Sequence, residues 1–321
     1  MTAAELDHLA PFAIPMRLRF RGVTSRSGVL LHGPAGWGEF SPFPEYGPEY
    51  AGRWLASAHA AALEPFPPPV RGRVPVNTTV PAVDPTTARD LVARSGCSTA
   101  KVKVGEAGQD LAADVDRVAA VREALGPTGR IRVDANAAWD VETAVLAIGR
   151  LDTAAGGLEY VEQPCATLGE LAEVRRRVSV PLAADESVRT AEDPLRIAGL
   201  DAADVIVVKV QPLGGVQRAL AVVDAAGLPA VVSSALETSV GLAAGVALAA
   251  ALPELPFACG LGTATLLAAD VTDRPLTPVD GSLEVRRVAP DPASLDQATP
   301  DPDTALALIE RLGAASAHLP T

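Results

Sequence analysis

Ala100-Lys101-Val102-Lys103-Val104 reads as a buried strand that carries two lysines. Side chains alternate faces along a strand, so Lys101 and Lys103 project from one side and Val102 and Val104 from the other. Two ammonium groups on one buried face repel each other and lose hydration unless carboxylates or a metal site compensate. The alternative is a solvated edge strand, where lysines discourage edge-to-edge association.

From residue 74 onward, strand and helix patterns alternate. Strand candidates are 76–80, 100–104, 131–135, 158–162, 182–185, 205–210, 230–233 and 257–260. Helical patterns lie between them, near 86–95, 109–125, 140–151, 168–178, 191–199, 214–226 and 238–252. This rhythm predicts an α/β fold, a (β/α)7β-type TIM barrel. A doubly wound open sheet is the alternative, but no GxGxxG follows the first strand. Residues 12–20 and 28–32 have strand character, with turns expected at Ser25-Arg26-Ser27-Gly28 and Pro34-Ala35-Gly36, and 48–63 reads as a helix. Pro65-Phe66-Pro67-Pro68-Pro69 then marks a boundary. After residue 265 the rhythm fades. Leu276-Thr277-Pro278 and Ser282-Leu283-Glu284-Val285 read as short strands, and 303–313 as a last helix. The expected division is 1–73, an N-terminal domain; 74–265, the barrel; and 266–321, a segment returning towards the N-terminal domain.

Chemistry in such barrels sits at the C-terminal ends of the strands. Here those ends carry Lys101 and Lys103, then Asp134 and Asn136, then Glu162, Asp185 and Lys209. One carboxylate at a strand end is often a helix N-cap. Asp134, Glu162 and Asp185 lie on three consecutive strands, roughly 5 Å apart, and would converge on one point. A hard divalent cation relieves their repulsion, and an all-oxygen donor set favours Mg²⁺ over Zn²⁺. Lys103 and Lys209 would flank that metal from opposite sides, where neighbouring positive charge lowers a lysine's pKa towards that of a working base. For Lys209 alone, snorkelling from the barrel rim is the alternative.

The 321 residues carry a net charge of −12, with 48% hydrophobic residues. That balance argues against nucleic acid and anionic membrane as partners. Cys97, Cys165 and Cys259 form no CxxC and fit a reduced, cytoplasmic protein. The first residues lack the basic and apolar regions of a signal peptide. The apolar stretch Val240 to Leu252 is too short to span a bilayer and reads as a buried helix. A monomer is compatible with the sequence.

Taken together, these motifs resemble the enolase superfamily, in its muconate-lactonising subgroup. The resemblance runs over nearly the whole chain: Gly38-Glu39-Phe40-Ser41-Pro42, then Lys101-Val102-Lys103, Asp134-Ala135-Asn136, Glu162-Gln163-Pro164, Asp185-Glu186-Ser187 and Lys209. It implies that residues 1–73, with part of the C-terminal segment, form an α+β capping domain. Within the subgroup, Ile14-Pro15-Met16, Gly36 to Pro42, Arg132 to Asn136, Ser233 to Thr238 and Gly260-Leu261-Gly262-Thr263 are most similar to enzymes of menaquinone biosynthesis. Those enzymes dehydrate a cyclohexadiene carboxylate to an aromatic acid.

The resemblance implies Mg²⁺ as cofactor, with Mn²⁺ able to substitute, and a small-molecule carboxylate as substrate. It makes Lys103 the general base, Lys209 the cation stabilising the enolate from the opposite face, and Lys101 a ligand of the substrate carboxylate. Arg132 and Asn136 become candidates for supporting or carboxylate contacts. Ser233, Ser234 and the backbone at Gly260 and Leu261 become candidates for holding the succinyl carboxylate, with helix capping the alternative for the serines. Glu39, Ser41 and Pro42 are expected to form a turn joining cap to barrel. Many dipeptide epimerases carry an acidic motif after the eighth strand; Ala258 to Thr263 holds no acid, which disfavours an amine substrate. Lysines on both faces also suit an N-succinylamino acid racemase. A non-catalytic barrel that binds a small acid remains the reading from a different class.

Overall fold

A computed structural model describes residues 6–20, 22–190 and 195–320. In it the lysine strand is not an edge. Thr99–Lys103 is buried throughout and lies between two parallel neighbours.

The N-terminal part is an antiparallel sheet of β1 (His8–Phe20), β2 (Val23–Gly33) and β3 (Gly36–Phe40), covered by α1 (Pro48–Leu63). Trp54, Leu55, Ala58 and Ala62 of α1 pack on Val29, Leu31 and Phe40. Strand β4 (Arg73–Pro75) leads into the barrel. Its strands and helices are β5 (Thr78–Val80), α2 (Pro85–Ser95), β6 (Thr99–Lys103), α3 (Leu111–Leu125), β7 (Arg130–Asp134), α4 (Val141–Ala155), β8 (Val161–Glu162) and α5 (Leu168–Arg175). They continue as β9 (Leu182–Ala184), α6 (Glu186–Thr190), α7 (Leu195–Gly199), β10 (Val205–Lys209), α8 (Val210–Leu213), α9 (Val216–Ala226), β11 (Ala230–Ser233) and α10 (Ser239–Ala251). The chain ends with β12 (Ser282–Glu284), α11 (Pro292–Ala298) and α12 (Pro302–Ser316).

Strands β5 to β11 form one parallel sheet in sequence order. Single parallel bridges close it, Ser233 to Gly260 and Val76 to Cys259. The eighth strand is therefore reduced to the backbone around Cys259. Capping signals set the barrel helices: Asp84, Asp110 and Asp140 accept from backbone N–H groups of α2, α3 and α4, and Thr167 with Glu170 forms a reciprocal cap on α5. Helix α10 is buried almost end to end, and no helix among the described residues is long and apolar enough to cross a membrane. The C-terminal segment returns to the N-terminal part: β12 pairs with β4, and Arg311 of α12 donates to the carbonyls of Pro42, Phe43 and Tyr46.

Some expectations need correction. Ser25-Arg26-Ser27-Gly28 is not a turn but the middle of β2, and the hairpin instead closes where Phe20 pairs with Val23. Gly28 is required there for close approach, since a Cβ would lie 2.4 Å from the Phe40 carbonyl oxygen. Leu276-Thr277-Pro278 forms no strand, and the short helices α8 and α11 carry too little periodicity to have been read. Part of the 191–199 helix expectation, residues 191–194, lies outside the described residues.

Glu39 joins the two parts. Its carboxylate accepts from Thr238 N at 3.1 Å, Thr238 Oγ1 at 2.6 Å, Gly241 N at 3.0 Å and Ser41 Oγ at 2.7 Å, which seats a cap residue on the N-terminus of α10. Burial pushes its pKa up from 4.5 to about 7, against the pull of the Thr238 and Ser41 donors. A raised carboxyl pKa means that the stability Glu39 contributes is complete below 4.5 and is lost as pH rises through about 7. Thermal melts of wild type and Glu39→Gln from about pH 5 to 8 should therefore show wild type losing ground to the variant as pH rises. Parallel curves would contradict the assignment.

Candidate active site

Register decides which side chains meet. Lys103 pairs with Asp134, Asp134 with Glu162, and Glu162 with Ala183, two residues before Asp185. Registered residues in a parallel sheet point to the same face, here the barrel interior. Across the barrel, Lys209 is registered with Ser233. The Lys101 ammonium donates to Asp134 at 3.0 Å and to Glu162 at 2.9 Å. Lys103 donates to Asp134 at 2.5 Å and to Asn136 Oδ1 at 2.8 Å, and Lys209 to Asp185 at 2.5 Å. All three carboxylates are fully buried and each lysine nearly so. Ammonium groups thus lie against the carboxylates, and among the described residues no set of three acidic, His or Cys side chains is gathered into a ready-made cage.

Gln163, at left-handed φ 38°, ties two of these strand ends together. Its Oε1 accepts from Asp185 N at 2.9 Å and its Nε2 donates to Ser187 Oγ at 2.8 Å. Asn136, at φ 47°, donates through Nδ2 to Glu186 at 3.3 Å, which turns Oδ1 towards Lys103.

Above the charges is a cavity of about 290 Å³. Lys101, Lys103 and Lys209 form its floor, Ser233, Ser234, Gly260 and Thr263 one side, and Phe20, Phe43, Tyr46, Tyr50 and Leu236 a largely aromatic roof; Glu45 and Glu186 also line it. Lys103 Nζ is 5.2 Å from the Phe20 ring centroid. Gly260 has no space for a side chain, since a Cβ would lie 2.5 Å from Ser233 Oγ. Arg132, expected near the substrate, does not line the cavity. It sits two residues before Asp134 on the same inward face, about 6.6 Å deeper, stacked on Tyr160 and bonded to Tyr160 Oη, Ala258 O and Glu159. Leu261 is likewise buried outside the lining. The aromatic roof was not anticipated. Phe20, Phe43, Tyr46 and Tyr50 come from the N-terminal part, and nothing in their spacing signals that they face a barrel in a distant part of the chain.

Residues 85–290 match the enolase C-terminal domain-like family and residues 12–62 the enolase N-terminal domain-like family. The o-succinylbenzoate synthase of Thermobifida fusca (strain YX) is 67% identical over 277 residues, covering 86% of this chain and 87% of that protein. The chain belongs to the o-succinylbenzoate synthase family. The family's Mycobacterium ulcerans (strain Agy99) synthase is 56% identical over 310 residues, covering 96% of this chain and 93% of its own. In fold, the chain is similar to an N-succinyl Arg/Lys racemase from Bacillus cereus (TM-score 0.76, 19% identity, 92% of this chain and 98% of that one). Muconate lactonizing enzyme from Pseudomonas putida gives the same TM-score and identity, over 92% of this chain and 100% of its own.

The charges of this o-succinylbenzoate synthase family site are strongly coupled. Burial works against the Lys101 ammonium, but Glu162 and Asp134 outweigh it and raise its pKa. Asp134 is held well below the usual range by Lys103 and Lys101, although burial opposes this. Glu162 is pushed up to about 8, first by burial, then by Asp134 and Asp185, against Lys101 and Lys209. Buried carboxylate oxygens gathered at three adjacent strand ends are the donor type that fits a hard divalent cation.

Lys101→Met removes one partner of a buried pair, which typically costs ~3–5 kcal/mol. Glu162 titrates above its ordinary value of 4.5, so its contribution is present at low pH and lost as pH rises through about 8. Removing Lys101 moves that pKa higher still. Melts without divalent ions should therefore show a larger stability loss in the variant at about pH 9 than at about pH 7; equal losses would break the link between Lys101 and Glu162.

Proposed function

We propose that this chain is an o-succinylbenzoate synthase that converts 2-succinyl-6-hydroxy-2,4-cyclohexadiene-1-carboxylate to o-succinylbenzoate by syn elimination of water, a lyase reaction of menaquinone biosynthesis. The observation that carries the reading is the opposition of Lys103 and Lys209. They stand on β6 and β10, four places apart in a closed ring, and line one cavity. The high identity to named synthases over most of the chain supports the same conclusion.

The chemical difficulty is removing a proton α to a carboxylate, because negative charge accumulates on the substrate. Asp134, Glu162 and Asp185 would hold Mg²⁺, or Mn²⁺, which when bound neutralises that developing charge. Lys103 takes the α-proton, and in a syn elimination returns a proton to the departing hydroxyl on the same face, so water leaves and the ring becomes aromatic. Lys209 faces the opposite side and stabilises the enolate electrostatically. Lys101 contacts the substrate carboxylate. Asn136 keeps Lys103 aimed at the cavity. Ser233, Ser234 and the Gly260 backbone are placed to receive the succinyl carboxylate, while the aromatic roof covers the ring. In this reading residues 1–73 and 266–321 act together as the cap over the 74–265 barrel. A second activity, racemisation of an N-succinylamino acid, is favoured by the same pair of opposed lysines.

Chelation should abolish turnover, with Mg²⁺ or Mn²⁺ restoring it, and Asp134→Asn, Glu162→Gln and Asp185→Asn should each weaken metal binding in titration calorimetry. Full activity of metal-free protein would exclude the assignment.

Lys103→Ala should cost at least ~10²–10⁴-fold in turnover and stop α-proton exchange with deuterated solvent. Lys209→Arg keeps a cation but not a readily deprotonated base. It should retain measurable dehydration while eliminating racemisation. Equal losses in both reactions would overturn the one-base dehydration.

A further inference from the structure

Leu236 forms one wall of the cavity, packed with Phe20 and Leu266, yet its φ is 62°, in the left-handed region that a branched side chain rarely adopts. A leucine left to itself would leave that region, so the turn must be held from outside. Arg26 of β2, itself 2% exposed, supplies the hold. Its Nε donates to the Leu236 carbonyl at 3.1 Å, while Nη2 donates to Ser41 O at 2.5 Å and Ser41 Oγ at 3.2 Å. Its guanidinium also stacks 4.3 Å from the centroid of Phe43, which lines the cavity from the cap side. One rigid, planar group therefore braces a barrel wall and a cap wall together. Glu237 assists from the other side by accepting from Ala235 N at 2.7 Å.

We propose that Arg26 is a positioning residue that shapes the substrate cavity by fixing Leu236 in its left-handed turn and Phe43 opposite it. Arg26 touches no reacting atom. It acts on how well the ring and succinyl arm fit, so its loss falls on substrate binding more than on chemistry. The kinetic part of this inference rests on the dehydratase reading, whereas the structural part does not.

The test uses R26M and R26K in the full-length protein. Lysine keeps the charge, but its single ammonium cannot reproduce the planar fork, so it also covers the case in which R26M fails to fold. Hydrogen exchange should accelerate at residues 234–237 by roughly tenfold in either variant, the effect of losing a charge-assisted hydrogen bond, while β6 and β7 stay protected. KM for the cyclohexadiene carboxylate should rise roughly tenfold with kcat changed less than about threefold.

Leu236→Gly supplies the cycle. Glycine adopts the left-handed turn without being held, so adding R26K to L236G should raise KM by clearly less than R26K does in the wild type, the remainder being the hold on Phe43. Multiplicative penalties, unchanged exchange at 234–237, or an equal fall in kcat and kcat/KM with KM unchanged would each overturn the proposal. A wild type inactive towards the cyclohexadiene carboxylate would defeat the dehydratase reading, and exchange in the turn would still decide the role of Arg26.

Discussion

The structure depends on a charge balance inside the barrel mouth, where three ammonium groups lie in direct contact, at 2.5 to 3.0 Å, with three carboxylates. None of these groups is tolerable alone: an unpaired buried ion costs several kcal/mol even after relaxation. The lysines of β6 and β10, the acids of β7 and β8, and Asp185 just past β9 are thus each other's condition for burial. Burial, reinforced by Asp134 and Asp185, pushes the Glu162 pKa up to about 8. Buried carboxylates neutralised only in part suit one more cation, and that cation with the lysines would attract an anionic substrate. This local preference is independent of the overall −12 charge, because buried ion pairs are screened far less than the surface.

Precision in that balance comes from irregular backbone at the strand ends. Asn136, Ala137, Gln163 and Leu236 all have left-handed φ values. Three of them follow directly on β7 and β8, where the chain must bend while still delivering polar groups inward. Ala137 N donates to the Gln163 carbonyl at 2.7 Å, and Gln163 N to the Ala183 carbonyl at 2.8 Å, so each bend leans on the next strand end. Such conformations persist only where the surroundings over-determine them. Here the surroundings are the neighbouring bends and the cap.

Much of this was legible in the sequence. The alternation of strands and helices is a local signal, and the inward set of Lys101, Lys103, Asp134, Glu162, Asp185 and Lys209 follows from period-two geometry at the ends of successive strands. Depth along the barrel axis is not encoded in period-two geometry: Arg132 shares the inward face with Asp134, but two residues of rise carry it below the cavity, beside Tyr160. The hairpin was misplaced because Ser25-Arg26-Ser27-Gly28 has turn composition, whereas its glycine serves close packing against β3. Long-range contacts were invisible for a different reason. The roof is made by Phe20, Phe43, Tyr46 and Tyr50 meeting Leu236 across more than half of the chain, and no local pattern encodes such a meeting.

The division of labour between floor and roof explains what kind of molecule the cavity suits. The floor is cationic, the roof is aromatic and aliphatic, and the serine side is polar but uncharged. A substrate ammonium would meet three lysines, with Glu45 and Glu186 as the acids of the lining, and the stretch from Ala258 to Thr263 adds no further acid. For an unsaturated ring bearing carboxylates, as in the proposed reaction, the lysines and hydroxyls would suit its anionic groups and the roof its flat face. In the proposed reaction the cap would exclude water from around a charge that forms next to the lysines, since electrostatic stabilisation strengthens as water is excluded. Because that cap is seated on the barrel through Glu39 and Arg26, water exclusion and cavity shape are set by the same buried polar seam.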